Sequence, residues 1–320
     1  MAKQAILSAN TLRKTPWQRF VLNFKKNWQL HAMILIPLAY MLLFEFGPMY
    51  GLQIAFKEYR PRKGIIDSEW VGLYQFERFF NNRNWPNYLR NTLTISLYQI
   101  AAGFPIPIML AMFLHVSEKK VLKKVVQNVS YLPHFISVVI LVGILNQVLS
   151  PVAGLYAAVC RLFDIPITED IRANPDAFYH LYVWSGVWQQ MGWSAIIYVA
   201  ALSGVSQELH EAAKIDGASR WKRVLHVDIP AILPTICMML ILRFGSIISV
   251  GHEKVYLMQQ SSNLSRSEII STYVYKKGIG ESNYSFGTAV GLMNTTINTG
   301  MILLVNWITD RLSDGENSLF

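Results

Sequence analysis

The chain has 320 residues, of which 52% are hydrophobic and only 15% are charged, and its formal net charge is +9. A water-soluble domain usually carries about 25% charged residues, so this composition argues against a soluble enzyme and for a protein that crosses the membrane several times. The two cysteines, Cys160 and Cys237, lie far apart with no ligand spacing, and they indicate neither a disulfide framework nor a zinc site.

Six apolar segments are candidates for membrane-spanning helices, which need roughly 20 mostly apolar residues. They are Leu30–Phe56, Leu89–Val116, Val125–Leu149, Leu181–Val205, Ile229–Val250 and Phe286–Ile308. The first is not a signal peptide, because it follows a long basic head and no small-residue cleavage site comes after it. The sequence therefore predicts an all-α membrane protein in which residues 30–320 form one six-helix domain.

Residues 1–29 are predicted to be a cytoplasmic amphipathic segment that lies along the inner surface of the membrane. Trp17, Phe20, Val21 and Phe24 recur at helical spacing beside arginine and lysine. With this end inside, the cytoplasmic pieces hold 15 of the 29 lysines and arginines on a shorter total length of loop. This bias favours a cytoplasmic N-terminus and C-terminus, although basic residues just after the first span run against it.

The inner loop of residues 206–230 predicts a helix, a turn and a second helix. Ser206 is a suitable N-cap, and Glu208 faces the positive end of the first helix. Asp216 and Gly217 break this helix, Ser219 can cap the second, and Pro230 opens the next span. Such a hairpin would lie against the cytoplasmic face, where small alanines permit close approach of another surface.

The same loop carries a family motif. Glu211-Ala212-Ala213, then Gly217, then Val227-Asp228-Ile229-Pro230 resemble, at full spacing, the EAA loop of ATP-binding-cassette (ABC) importer permeases. The run Glu208–Ala218 is similar to the carbohydrate branch of that family. Gly47–Gly51, Trp70–Phe76 and Ser249–Val255 resemble permeases that import oligosaccharides released from polysaccharides, including alginate permeases.

The resemblance implies the type I ABC importer fold, with one chain forming half of a translocation pathway in a bacterial cell membrane. Glu211, Ala212, Ala213, Asp216 and Gly217 would belong to a coupling helix that docks on an ATPase. The implied partners are a second homologous permease, two ATPase subunits and an extracytoplasmic solute-binding protein. No glycine precedes a lysine in a phosphate-binding loop here, so ATP and magnesium would be bound by the ATPase subunits and no cofactor by this chain.

Polar residues inside apolar spans are candidates for the substrate pathway. Arg243 is predicted near the middle of the fifth span, and the resemblance places it and Ser246 at the translocation cavity. The planar guanidinium suits a carboxylate, as in a uronic-acid oligosaccharide. A structural ion pair, for instance with Glu45, or a contact with backbone carbonyls is the open alternative.

Three further side chains are pathway candidates. The resemblance places Gln190 and Trp193 at the cavity, with an interfacial aromatic belt as the alternative for the tryptophan. Asn294 in the sixth span would either bind substrate or pack against a neighbouring helix.

The histidines show no metal spacing, and no nucleophile, base and orienting residue form a catalytic set. The predicted function is therefore transport of oligosaccharides, acidic ones included, without enzymatic activity. The same machinery for glycerol phosphate, a polyamine or a peptide stays open, as does a stand-alone channel or membrane enzyme.

Overall fold

The computed structural model describes Trp17, residues 24–167 and residues 169–312. Most of the predicted amphipathic segment of residues 1–29 lies outside the described residues. The chain divides into two compact units, residues 1–70 and residues 71–320.

The first unit contains one long helical rod and a hairpin. Helix α1, Trp28–Tyr40, continues as a π-helix over Met41–Phe46 and a 3₁₀-helix over Gly47–Phe56. Strands β1, Lys57–Arg60, and β2, Gly64–Trp70, then pair antiparallel, with Lys57 opposite Trp70. Gly64 allows the tight reversal because its φ is +72°, and the ring of Phe56 stacks on that of Trp70 at 5.6 Å.

All regular elements in the described part of the second unit are helical. In chain order its helices are α2 Tyr74–Phe80, α3 Trp85–Gly103, α4 Pro105–Val116, α5 Lys120–Tyr131, α6 Val138–Val148, α7 Leu155–Leu162, α8 Pro175–Ser203, α9 Gln207–Ile215, α10 Arg220–Arg223, α11 Ile229–Phe244, α12 His252–Met258, α13 Leu264–Ser267, α14 Ile270–Val274 and α15 Tyr284–Leu312. A 3₁₀-turn, Leu132–Phe135, follows α5, and π-helical turns precede α11 (Val224–Asp228) and follow α14 (Tyr275–Gly280).

Among the described residues, four helices are long and apolar enough to cross a membrane. They are Trp28–Phe56, Trp85–Val116, Arg220–Phe244 and Tyr284–Arg311. They correspond to the first, second, fifth and sixth predicted spans, with the second continuing through the Phe104–Pro105 junction.

The third predicted span differs from a straight helix. Lys120–Phe135 and Val138–Val148 are bent by 103° at a short break, so the pair is a broken span or a re-entrant loop. Pro133 cannot donate a backbone hydrogen bond, and Ser137 starts a new helix by accepting one from the N–H of Ile140 at 3.3 Å. The apolar pattern of Val125–Leu149 did not show this corner.

The fourth predicted span coincides with the 29-residue helix α8, which is not among the four described helices that are long and apolar enough to cross a membrane. Of the described helices in the second unit, α8 has the most buried residues. It packs against α3, α4, α5 and α11. Because its neighbours cover it, α8 accommodates polar side chains that a lipid-facing helix would not.

Two parts of the core lie along α8. Its N-terminal half packs Tyr182, Val183 and Val187 with Ile95 and Val255, and its C-terminal half packs Ala195, Tyr198 and Leu202 with residues of α4 and α11. Along α8 the polar residues Gln189 and Gln190 lie between these two clusters. Both line the cavity that is described in the next section.

Candidate functional site

The residues 206–230, here called the coupling hairpin, form the predicted helix, turn and second helix. The Oγ of Ser206 accepts a hydrogen bond from the backbone N–H of Glu208 at 3.2 Å and caps α9. The helix ends at Asp216, and Gly217 follows with a φ of +73°, the left-handed region that glycine adopts without strain. Ser219 caps α10 through the N–H of Lys222.

No residue of helix α9 is fully buried, although His210 on its inner side is half-buried. Glu211, Ala212, Asp216 and Gly217 are exposed, and Ala213 is half-buried. Two large apolar side chains on this polar helix are also uncovered, with Leu209 53% and Ile215 87% exposed.

A polar cavity of about 260 Å³, here called the central cavity, lies beside the N-terminal core cluster of α8, whose Tyr182 and Val250 form part of its wall. Its polar lining comes from α3, α8, the end of α11, the segment that follows it and α12: Ser96, Gln99, Tyr182, Gln189, Gln190, Arg243, Ser246, Ser249 and Lys254. Two of these side chains are cationic, and none of the described residues that line the cavity is an acid.

Lys254 is the cavity residue that the sequence analysis did not identify. It is 8% exposed, and its Nζ donates a hydrogen bond to the backbone O of Tyr182 at 2.8 Å and lies 4.7 Å from the centre of that ring. In the part of the second unit that the structure describes, no carboxylate pairs with it. The segment Ser249–Val255 was noted only for its family resemblance, which gave no reason to single out the lysine.

Arg243 lies at the end of a helix and not in the middle of a span, which corrects the predicted position. Helix α11 ends at Phe244, and the chain then turns through Gly245, which packs against Ile302. The Oγ of Ser246 donates to the backbone O of Arg243 at 3.1 Å, so both predicted residues stand together at the cavity. Within residues 71–167 and 169–312, Arg243 forms no ion pair.

Gln190 lines the central cavity, whereas Trp193 does not. The Oε1 of Gln190 accepts a hydrogen bond from Nδ1 of His134 at 2.9 Å, and the ring of Trp193 stacks on the same histidine at 4.2 Å. Both contacts are made at the break between α5 and α6, so Trp193 supports this corner from a position beside the cavity.

Asn294 also lies outside the cavity lining. Its Oδ1 is buried without a hydrogen-bond partner among the described residues. One turn further along α15, Asn298 donates to the Oγ of Ser249 at 2.8 Å and accepts from the N–H of Ile248 at 3.2 Å. Helix α15 therefore fixes the segment that carries part of the cavity wall.

Residues 103–314 match the family described as "Binding-protein-dependent transport system inner membrane component". The chain is 36% identical to the polygalacturonan/rhamnogalacturonan transport system permease protein YteP of Bacillus subtilis, over 100% of this chain and 98% of the relative. It is 39% identical to the protein LplB of the same organism, over 90% of each chain.

Two solved structures are similar over nearly their whole length. One belongs to a bacterial ABC transporter involved in the import of the acidic polysaccharide alginate, with a TM-score of 0.85, 33% identity and coverage of 92% of this chain and 99% of that chain. The other is a bacterial alginate ABC transporter in complex with an alginate pentasaccharide-bound periplasmic protein, with a TM-score of 0.85, 32% identity and coverage of 94% and 100%.

Proposed function

This chain belongs to the family of binding-protein-dependent transport system inner membrane components, and we propose that it forms half of the translocation pathway of an importer for acidic oligosaccharides. It is a multi-pass membrane permease and not an enzyme. The relatives that it matches over nearly their whole length are also transport proteins. The two similar structures are ABC transporters, and we propose that ATP likewise supplies the energy for transport by this chain and its partners.

The observation that carries the acidic substrate is the charge of the central cavity. Lys254 and Arg243 both line it, and no acidic side chain among the described lining residues neutralises them. Burial lowers the pKa of Lys254 to about 7, because the interior disfavours the ammonium form, and an anionic ligand beside it would favour that charged form. Gln99, Gln189 and Gln190 add amide groups that suit sugar hydroxyls.

The same charge argues against one of the alternative cargoes. A polyamine would bring further cations next to Lys254 and Arg243, which like-charge repulsion disfavours. Glycerol phosphate is an anion and fits the charge, but it would leave most of the amide lining unused. The relatives named above favour saccharides, since one is named for polygalacturonan and rhamnogalacturonan and another imports alginate.

The coupling hairpin is the proposed contact with the motor. Leu209 and Ile215 supply an uncovered apolar surface on α9, and Glu211 and Asp216 supply charges beside it. On this proposal two ATPase subunits, which bind ATP and magnesium, hold the hairpins of this chain and of a second homologous permease. A solute-binding protein delivers the oligosaccharide from the other side, in line with the periplasmic protein bound in one similar structure.

This arrangement requires both termini in the cytoplasm and six crossings of a bacterial inner membrane. The four long apolar helices supply four of the crossings, the bent pair α5 and α6 a fifth, and α8 the sixth. Six crossings put the N-terminus and the C-terminus on the same side of the membrane. Four of these crossings precede the coupling hairpin, so the hairpin lies on that side too.

The test is transport by the assembled importer in proteoliposomes with its binding protein. Uptake of an oligogalacturonate is compared with that of the same oligomer after its carboxylates are reduced to alcohols. Lys254→Gln and Arg243→Gln are expected to lower uptake of the acidic oligomer about tenfold or more, since a hydrogen bond to a charged group contributes about 1.5–3 kcal/mol. Uptake of the neutral oligomer should change little.

Lys277→Gln is the matched control. Lys277 is more exposed than Lys254 and does not line the cavity, and its Nζ lies 2.6 Å from the carboxylate of Glu281. Equal loss of both oligomers in the cavity variants would contradict the carboxylate role. Uptake that does not require ATP would contradict the importer itself.

A further inference from the structure

Three potential metal ligands from separate elements meet beneath the coupling hairpin. His115 lies near the end of α4, His210 lies on α9, and Asp228 ends the π-helical turn before α11. The Oδ1 of Asp228 lies 3.1 Å from Nε2 of His210 and 3.6 Å from Nε2 of His115. The ligand atoms of all three residues lie within 4.8 Å of one another.

Hydrogen bonding alone does not account for this convergence. Both imidazole Nε2 atoms approach the same carboxylate oxygen, and the distance from His115 is too long for a hydrogen bond. Among the described residues, neither Asp228 Oδ1 nor His210 Nε2 has a hydrogen-bond partner of good geometry, even though the two atoms are close. The Asp228 side chain is only 2% exposed, so water does not surround this oxygen.

We propose that His115, His210 and Asp228 bind a divalent transition-metal ion of the zinc class. Zinc bonds to imidazole nitrogen and carboxylate oxygen at about 2.0–2.2 Å, which separates neighbouring ligand atoms of a tetrahedron by about 3.3–3.5 Å. The observed separations of 3.1 and 3.6 Å bracket that value. Two imidazoles with one carboxylate suit zinc, whereas calcium and magnesium prefer oxygen ligands.

The surroundings provide a fourth position and a route of entry. His115, His210 and Asp228 line a cavity of about 540 Å³ beside the coupling hairpin, from which a water molecule can complete the tetrahedron. Lys123, Lys214, Arg220 and Arg223 line the same cavity, and Glu211 and Glu118, which pairs with Arg220 at 2.8 Å, offset part of their charge. The carboxylate of Asp228 supplies the negative charge next to the ion.

The ion would join α4, α9 and the start of α11, the three elements that carry its ligands. It would thus hold the coupling helix against two spanning helices. Metal binding itself does not depend on the proposed transport function, so the two can fail separately.

The test measures metal binding directly on the assembled transporter, purified without a polyhistidine tag and stripped with a chelator. Zinc is titrated at equilibrium, and cobalt is used as a spectroscopic probe of a tetrahedral site. His115→Gln, His210→Gln and Asp228→Asn are expected to weaken zinc binding at least about tenfold and to remove the tetrahedral cobalt bands, since even loss of an outer-shell partner costs about 10–100-fold.

His226→Gln is the matched control, because Nδ1 of His226 contacts the backbone O of Lys222 on its own turn and the residue lies outside the cluster. This variant should keep one zinc per chain and the cobalt spectrum. Zinc that stays bound equally in His115→Gln and His210→Gln, or a chain that binds none, overturns the proposal. His115 is half-buried, so its variant decides between these outcomes if Asp228→Asn does not fold.

Discussion

The coupling hairpin takes all of its candidate residues from one short stretch of chain, whereas the central cavity draws its residues from α3, α8, α11, α12 and the segment between α11 and α12. Helix α9 of the hairpin has no fully buried residue, while α8 beside the cavity buries 11 of its 29 residues. A local element can be read from its own sequence, because its caps, its turn and its exposed face follow from neighbouring residues. A site assembled across helices depends on packing that no single segment encodes.

Of the substitutions in these two regions, we expect one in the coupling hairpin to have the largest effect on transport. Glu211→Gln should reduce ATP-dependent uptake about 5–150-fold, the range of a coupling free energy of 1–3 kcal/mol, because it removes the charge that we propose faces the ATPase. Uptake and ATP hydrolysis are measured together in proteoliposomes. Glu208→Gln, on the same exposed helix, is the control, and equal loss in both variants would show that the helix and not its docking had been damaged.

Substitutions of two glycines test the helix packing that surrounds the central cavity. A Cβ added at Gly192 in α8 would collide with the backbone carbonyl of Ser130 in α5, whereas a Cβ at Gly143 in α6 would meet nothing within 4 Å. Gly192→Ala should therefore destabilise the chain by about 1–3 kcal/mol. Gly143→Ala should be neutral or stabilising by about 0.5–1 kcal/mol. Thermal unfolding of the purified complex compares them, and identical melting would contradict the close approach of α8 and α5.

The turn of the hairpin should tolerate change less well than its open surroundings suggest. Nothing lies within 4 Å of a Cβ at Gly217, but its φ of +73° is strained for alanine. Gly217→Ala should cost roughly 1 kcal/mol, and Gly217→Asn less, because asparagine tolerates the left-handed region better. Hydrogen exchange of the α9 amides reports the loss, and equal protection in wild type and both variants would argue against the strain.

The smallest expected effect is a pH dependence in the segment before α8, which belongs to neither region. Arg172 Nε and Nη2 donate to the carboxylate of Asp170 at 2.8 and 2.5 Å, and this hydrogen bonding lowers the pKa of Asp170. The stabilisation is fully present above the unfolded pKa of about 3.9 and is lost as the pH falls through the lower folded value. Exposed pairs of this kind contribute about 0.2–1 kcal/mol.

Asp170→Asn should remove this part of the acid sensitivity of thermal unfolding between pH 5 and pH 3, chosen as about one unit either side of the unfolded pKa. Asp176→Asn is the control, since Asp176 is 87% exposed and lies 3.6 Å from Arg266. A pH dependence that is the same in both variants would mean that the Asp170 pair contributes nothing.

Much of the fold was predictable because apolar length is a local property. The first, second, fifth and sixth predicted spans all appear as long apolar helices. The bend of 103° in the third was not predictable from hydrophobicity, since the apolar run continues through Pro133 and Ser137 while the chain turns. Arg243 was misplaced for a related reason, because the apolar run extends to Val250 although α11 ends at Phe244.

The candidate sites divide in the same way. Gln190, Arg243 and Ser246 were expected at the cavity and line it, while Trp193 and Asn294 were expected there and lie beside it. Lys254 was missed because a lysine outside the predicted spans is ordinarily solvated, and only the packing of α12 against its neighbours buries this one.

The sequence by itself determined that this chain crosses the membrane repeatedly and that residues 206–230 form a capped helical hairpin with a family motif. Both depend on composition and on contacts between residues close in the chain. Only the tertiary structure decided that Lys254 and Arg243 face one cavity and that His115, His210 and Asp228 converge, because these side chains are brought together by helices distant in sequence. These side chains come within interaction distance of one another only when the helices that carry them pack together.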